Sequence, residues 1–186
     1  MVLKGKFTTY NEFFDLIKLI TQMRMTVSIL LLNGKAGKEL FIAFEDGKLV
    51  DIYSNSEDTV LLDFNFSNGK VGQMNYIKGI LFSFLIDFEN VNFETVVRKK
   101  RRKLNIGGFE ALFLDVVREF DEIGRFPENR KVTVESKKLT SPEKEEIILA
   151  GYLLEGYTLY QSLFSSGNVK DFFKAFNNLT EKGVLK

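Results

Sequence analysis

Residues 27–54 constrain this chain most, because short apolar runs alternate there with turn dipeptides that leave room only for antiparallel neighbours. Residues 27–32 are β-branched and aliphatic, Asn33-Gly34 opens a polar, Gly-containing turn, and residues 39–44 read as a second strand. Asp46-Gly47 then supplies a dipeptide that tolerates the positive φ angles of a tight hairpin. Residues 49–54 follow as a third strand, with Leu49, Asp51 and Tyr53 alternating against Val50 and Ile52, as a strand with two unlike faces should.

Helical periods flank this meander. Thr9 and Glu12 have capping-box spacing, and Phe13, Leu16, Ile17 and Ile20 form one apolar stripe that ends near residues 23–25. Residues 60–66 and 70–74, on either side of Ser67-Asn68-Gly69, read as a second hairpin. Tyr76, Ile77, Ile80, Leu81, Phe84 and Leu85 return to helical spacing, and residues 91–97 alternate like a strand. Phe109, Leu112, Phe113, Val116, Val117 and Phe120 fit an amphipathic helix whose outer face carries Glu110, Asp115, Arg118, Glu119, Asp121 and Glu122.

Residues 124–140 read as a connector. Ser141-Pro142-Glu143 beyond it has the order of an N-cap, a first-turn proline and an acid favoured by the helix dipole. Ile147, Ile148, Tyr152 and Leu154 line that helix and Gly156 ends it. A short helix at 159–164 and a third at 169–179 make a tri-helical unit, and Gly183-Val184-Leu185 leaves as an extended tail. The expected fold class is therefore α+β. An N-terminal helix, an antiparallel strand meander and packed helices fill residues 1–123, and a small helical unit occupies 141–186 after the 124–140 connector.

Composition narrows the chemistry. Nineteen Phe, six Tyr and no Trp point to a Phe-packed core, since Phe has a large apolar area and no polar group to satisfy. With no Cys, disulfides, thiolate catalysis and Cys-ligated metals are excluded, and a reducing, cytoplasmic setting is expected. With no His, the usual neutral-pH proton shuttle and commonest metal ligand are missing too. Met1 to Thr9 lacks the apolar core of a signal peptide, and the most apolar run, 77–88, is interrupted by Lys78 and Asp87, so no membrane association is expected. Scarce Gln beside abundant Lys and Glu leans towards a thermophilic source.

No catalytic, cofactor or metal site is legible. Glu45-Asp46 and Glu57-Asp58 read as turn acids, and the glycines match no phosphate-cradling pattern, although Gly107-Gly108 precedes a helix. The conspicuous charged feature is the run Arg98, Lys99, Lys100, Arg101, Arg102 and Lys103. Residues 98–138 carry twelve basic and seven acidic side chains, against nine and twelve before them and five and six after. The run therefore reads either as a solvated loop paired with acidic faces of its own chain, or as a contact for an acidic partner or anion. A net charge of +1 disfavours nucleic acid. So does the 169–179 helix, where Lys170, Lys174, Asn177 and Asn178 are interspersed with Asp171 and Glu181.

Several segments together resemble the PATAN family, named for the N-terminal domain of a cyanobacterial regulator. They are Leu3-x-Gly5, Met25-Thr26, Phe44-Glu45-Asp46-Gly47-Lys48-Leu49-Val50, and Glu110-Ala111-Leu112-Phe113-Leu114 with Arg118 and Asp121-Glu122. Gly156-Tyr157-Thr158-Leu159, Val169 and Leu179-Thr180-Glu181-Lys182-Gly183-Val184 look like the degenerate winged-helix segment often attached to it. Two departures stand out: Val27 takes the place of a usual Gly, and residues 55–75 exceed the usual short link. The resemblance implies a bacterial, non-enzymatic signalling role through protein–protein contacts, with receiver-domain or small-GTPase components as partners. Two alternatives remain: a transcriptional regulator using the C-terminal helices and the basic run on DNA, and a small-ligand sensor with an aromatic pocket between sheet and helices.

Overall fold

A computed structural model of the chain describes residues 3–67 and 69–186. Among these residues are seven α-helices and one antiparallel five-stranded sheet, an α+β fold. The chain forms two compact units, residues 3–56 with Phe84–Phe120, and Glu57–Ser83 with Asp121–Lys186. These boundaries differ from those expected at 123 and 141: residues 57–83 assemble with the C-terminal helices, and the 124–140 connector lies inside the same unit.

In the first unit the strands are β1 (Lys4–Phe7), β2 (Val27–Asn33), β3 (Lys38–Glu45), β4 (Lys48–Ser54) and β5 (Val91–Thr95), in the spatial order β1-β5-β2-β3-β4. One sheet face carries Phe7, Ile29, Leu31, Leu40, Ile42, Phe44, Leu49 and Ile52, all buried. Against it pack Phe13, Ile17 and Ile20 of α1 (Tyr10–Gln22) and Phe109, Leu112, Phe113 and Val116 of α4 (Phe109–Ile123). The contacts are largely aromatic: Phe13 meets Phe113 edge-on at 5.2 Å, Phe7 lies 5.8 Å from Phe13, and Phe44 lies 5.6 Å from Phe109. Such pairs add favourable quadrupole geometry to simple area burial.

Local chemistry sets the turns. Thr9 caps α1 by accepting from the Glu12 amide, while the Glu12 carboxylate closes back on the Thr8 amide at 2.6 Å. Asp46 and Gly47 have φ angles of 49° and 71°, the two positive values of a two-residue hairpin between Glu45 and Lys48. That turn is docked, since Gly47 N–H donates to the Met25 carbonyl and Asp46 N–H to Thr26 Oγ1. A Cβ on Gly47 would come within 2.7 Å of the Thr21 carbonyl.

Strand β4 departs from simple alternation. Phe44 pairs with Leu49 but Ala43 with Asp51, so Val50 is a bulged extra residue. Leu49 and Ile52 therefore share the helix-covered face, whereas Asp51 and Tyr53 lie on the other. Strand β1, not expected from its Lys-Gly-Lys-Phe sequence, exists through its partner: Lys4 pairs with Glu94, and the Phe93 ring fills the space over Gly5.

In the second unit the expected hairpin at 60–74 is replaced by helices. Residues Val60–Asn65 form α2, and α3 runs from Lys70 to Leu85; Asn68, in the expected turn, lies outside the described residues. The apolar residues at 60–74 come in short clusters that match a strand as well as a helical turn, and Leu61 and Leu62 are buried while Val60, Phe64 and Val71 are exposed. From Tyr76 onward the expected helical spacing holds, with Tyr76, Ile77, Ile80, Leu81 and Phe82 each at most 2% exposed within α3.

Helices α5 (Lys144–Leu154), α6 (Leu159–Phe164) and α7 (Val169–Glu181) form the expected trio. Helix α5 begins later than Ser141-Pro142 suggests. Glu143 is its N-cap, in a reciprocal capping box with Glu146, and Ser141 sits in the preceding turn at φ 45°. Its buried stripe is Glu146, Leu149, Ala150 and Leu153, while Ile147 and Leu154 are exposed. The tail is not free: Val134 and Leu185 form an antiparallel bridge, and Val184 is fully buried.

Candidate functional site

The second face of the sheet holds the candidate site. Alternation and register place Leu30, Phe41, Ala43, Asp51 and Tyr53 there, flanked by Glu39 and Glu45. Leu30, Phe41 and Ala43 form a small buried cluster, against which Leu32, Val50, Tyr53 and Val96 pack. Among the described residues no helix of this unit covers that cluster, because α1 and α4 occupy the opposite face. The cover is the basic run itself.

Both ends of the run are fixed to the sheet. Val96 N–H donates to the Ser28 carbonyl on β2 at 2.9 Å, and Leu104 N–H donates to the bulged Val50 carbonyl on β4 at 2.9 Å. Ile106 then bridges to Leu49, extending the free edge of β4. Between these anchors, residues 97–103 must cross β3. The side chains mark the path: Arg98 reaches Glu39 at one end of β3 at 3.5 Å, and Lys100 reaches Glu45 at the other. The Arg101 guanidinium stacks over the Tyr53 ring at 3.9 Å from its centroid, a cation–π contact. A strap of cations thus lies over an apolar patch, its aliphatic stems suited to shielding that patch while the charged heads reach water.

Asp51 secures the middle. It is fully buried, and its Oδ2 accepts the Arg101 N–H at 2.6 Å. Its Oδ1 has no hydrogen-bond partner among the described residues. Burial pushes the Asp51 carboxyl above the ordinary aspartate range, against the opposing pull of the Arg101, Arg102 and Ile52 amides and the Arg102 charge.

The basic run is therefore divided. Arg98 and Lys100 are ion-paired within the chain, Arg101 is stacked, and Arg102 is half-buried. Lys99 and Lys103 are exposed and make no ion pair among the described residues. Charge counting alone located the run but missed Glu39, Asp51 and Tyr53 beneath it. A signal was present in Asp51, an acid set within the otherwise apolar strand 49–53, but its side of the sheet depends on the bulge.

The remaining sequence candidates are dispersed. Glu45 belongs to the strap site, whereas Asp58 accepts from Asn129 Nδ2 at 3.1 Å in the second unit. Gly108 turns the chain into α4, its carbonyl accepting from the Ala111 amide. Among the described residues no group of three or more carboxylates is placed to hold a metal ion. No helix among them is long and apolar enough to cross a membrane.

On α7, Lys170 is held by Glu122 at 2.6 Å and Asp171 by Asn168 at 2.7 Å, leaving a surface of mixed charge. A cleft of about 480 Å³ in the second unit is lined by Asn65, Tyr76, Tyr152, Ser165 and Phe172. It lies among helices, not between sheet and helices as the sensor alternative expects. Comparison of the chain with protein-family models, curated proteins and solved structures finds no match.

Proposed function

We propose that this chain is a non-enzymatic regulatory module that binds another protein through the basic strap on its sheet. The observation that carries this reading is the division of the run. Arg98, Lys100 and Arg101 hold the strap to its own sheet and Arg102 is half-buried, while Lys99 and Lys103 project from that scaffold without partners among the described residues. A folded, positively charged ridge of this kind favours a negatively charged protein surface and steers its approach. The PATAN resemblance supports the same reading and suggests receiver-domain or small-GTPase components of a bacterial signalling system as partners. The lack of cysteine fits a reducing compartment, for which we take the cytoplasm.

The experiment is affinity capture from the source cells, using the wild-type chain and a Lys99→Gln/Lys103→Gln variant of equal thermal stability. The expected outcome is one acidic partner retained by the first and lost or weakened by the second. Equal retention by both would remove the strap from the interface. Salt-dependent binding of random duplex DNA by the wild-type chain, in place of a protein partner, would favour the transcriptional alternative.

A further inference from the structure

The strap is a cover as well as a charged ridge, and its attachments differ from those of an ordinary packed loop. Its two ends are anchored by backbone hydrogen bonds to β2 and β4, with Leu104 and Ile106 buried beyond the second anchor. Between them no strap side chain is buried: Arg102 is half-buried, the others are exposed, and Val97 is entirely so. Lifting residues 97–103 would extract no apolar anchor from a core.

The contacts that close the strap are two ion pairs, the Arg101 stack on Tyr53, and the hold of Asp51 on the Arg101 and Arg102 amides. The Arg98–Glu39 and Lys100–Glu45 pairs are solvent-exposed, with side-chain exposures of 40% and 40% for the first and 39% and 52% for the second. Pairs of that kind contribute little net stability and are readily exchanged for other carboxylates. The last attachment is Asp51, a buried carboxylate with one oxygen unpartnered among the described residues, placed where the strap backbone crosses β4. A strand needs no such residue for packing, and an apolar side chain there would cover Ala43 at lower desolvation cost. Its position suits it to hold the Arg101 amide. Beneath the strap lies the patch of Leu30, Phe41, Ala43 and Tyr53.

We propose that residues 97–103 form a displaceable strap latched by Asp51, and that an acidic peptide segment of the partner lifts it by replacing Glu39 and Glu45, opening the apolar sheet face beneath. This inference rests on the protein-binding role of the strap proposed above and adds the partner's chemistry and the change it causes. An acidic segment is the occupant that fits. It offers the same carboxylate groups that now pair Arg98 and Lys100, and finds Lys99 and Lys103 unpaired for first contact.

The chain has no tryptophan, so Tyr53→Trp places a single fluorescent reporter under Arg101. A dye-labelled ten-residue glutamate peptide serves as the probe, with its binding read by anisotropy and strap position read by Trp emission and acrylamide quenching. Amide exchange of residues 97–103 in the unsubstituted chain, with and without peptide, gives a second readout that needs no aromatic substitution. At saturating peptide the expected result is a red-shifted emission, several-fold faster quenching and roughly ten-fold faster exchange at Arg101.

Asp51→Ala, which removes the acceptor, should raise that exchange rate without peptide and bind the peptide several-fold more tightly than Asp51→Asn, which retains one. Peptide binding with unchanged emission and exchange would overturn displacement while leaving the binding role intact. Absence of peptide binding at low salt would overturn the strap as a protein-binding surface and this inference with it. Equal opening by duplex DNA at matched charge would overturn the assignment to an acidic segment, and unchanged exchange in Asp51→Ala would overturn the latch.

Discussion

A carboxylate with no exposure to water ordinarily needs a full set of donors, and among the described residues Asp51 has them on one oxygen only. Its folded-state pKa lies above the unfolded value, so the native chain binds this proton more tightly than the unfolded chain does. The associated stability is fully present below the ordinary value of about 4 and is lost as pH rises through the folded-state pKa. The groups facing the carboxylate are the Arg101, Arg102 and Ile52 amides and the Arg102 guanidinium, none of which titrates there. In urea unfolding across this range, the stability of the wild type relative to Asp51→Asn should fall as pH rises.

Glu146 behaves oppositely. Burial pushes its carboxyl up, but Lys182, the Glu143 amide and Asn178 together outweigh that and leave it below the usual glutamate range. Its contribution is present above about 4.5 and fades as pH falls towards its lowered value. Glu146→Ala removes the capping-box acceptor and both 2.9 Å contacts with Lys182, and should cost about 1–3 kcal/mol in chemical denaturation.

Turns and helices carry the next scale. The β3–β4 hairpin combines a two-residue turn with a backbone contact against the end of α1, so Gly47 is required twice, by φ and by space. Gly47→Ala should destabilise the chain by about 1–3 kcal/mol, measured as a lowered unfolding midpoint. Phe113 of α4 meets Phe13, Phe14 and Phe109, and Phe113→Ala should cost about 3–5 kcal/mol through lost burial and the cavity left behind.

Elements with a one-sided pattern were readable: α1, α4 and α7 carry clear stripes, and the meander carries turn dipeptides. The helical turns at 60–74 were not, because short apolar clusters there match a strand and a helix equally well, whereas the spacing from Tyr76 to Leu85 marked the rest of α3. Strand β1 was unreadable for a different reason. Its four residues have no intrinsic strand signal, and only pairing with β5 and the Phe93 ring over Gly5 make it a strand.

For the whole molecule, the two units are interleaved in sequence. Residues 57–83 share a core with 121–186, so truncation after residue 140 removes α5, α6 and α7 from helices that pack with them. The truncated chain should lose cooperative unfolding and near-ultraviolet signal, whereas a boundary at 141 between independent domains would leave both. Net charge is also distributed at this scale, being +1 overall but concentrated in residues 98–138. Neutralising Lys99 and Lys103 should change unfolding free energy by no more than about 0.5 kcal/mol, since neither is paired in the fold.

From the sequence by itself came the α+β class, the strand meander with its Asp-Gly hairpin, the C-terminal helical trio and the position of the cationic run. All of these follow from local periods, turn residues and charge, which act over a few positions. Only the tertiary structure decided that the run crosses the second sheet face, that the Val50 bulge places Asp51 beneath it, and that 57–83 belongs with the C-terminal helices. The strap contacts and the grouping of 57–83 depend on partners roughly forty to a hundred residues away in the chain, and the bulge on the β3–β4 register. Pairing register and burial choose them by competing over the whole fold, and no short stretch of sequence records that choice.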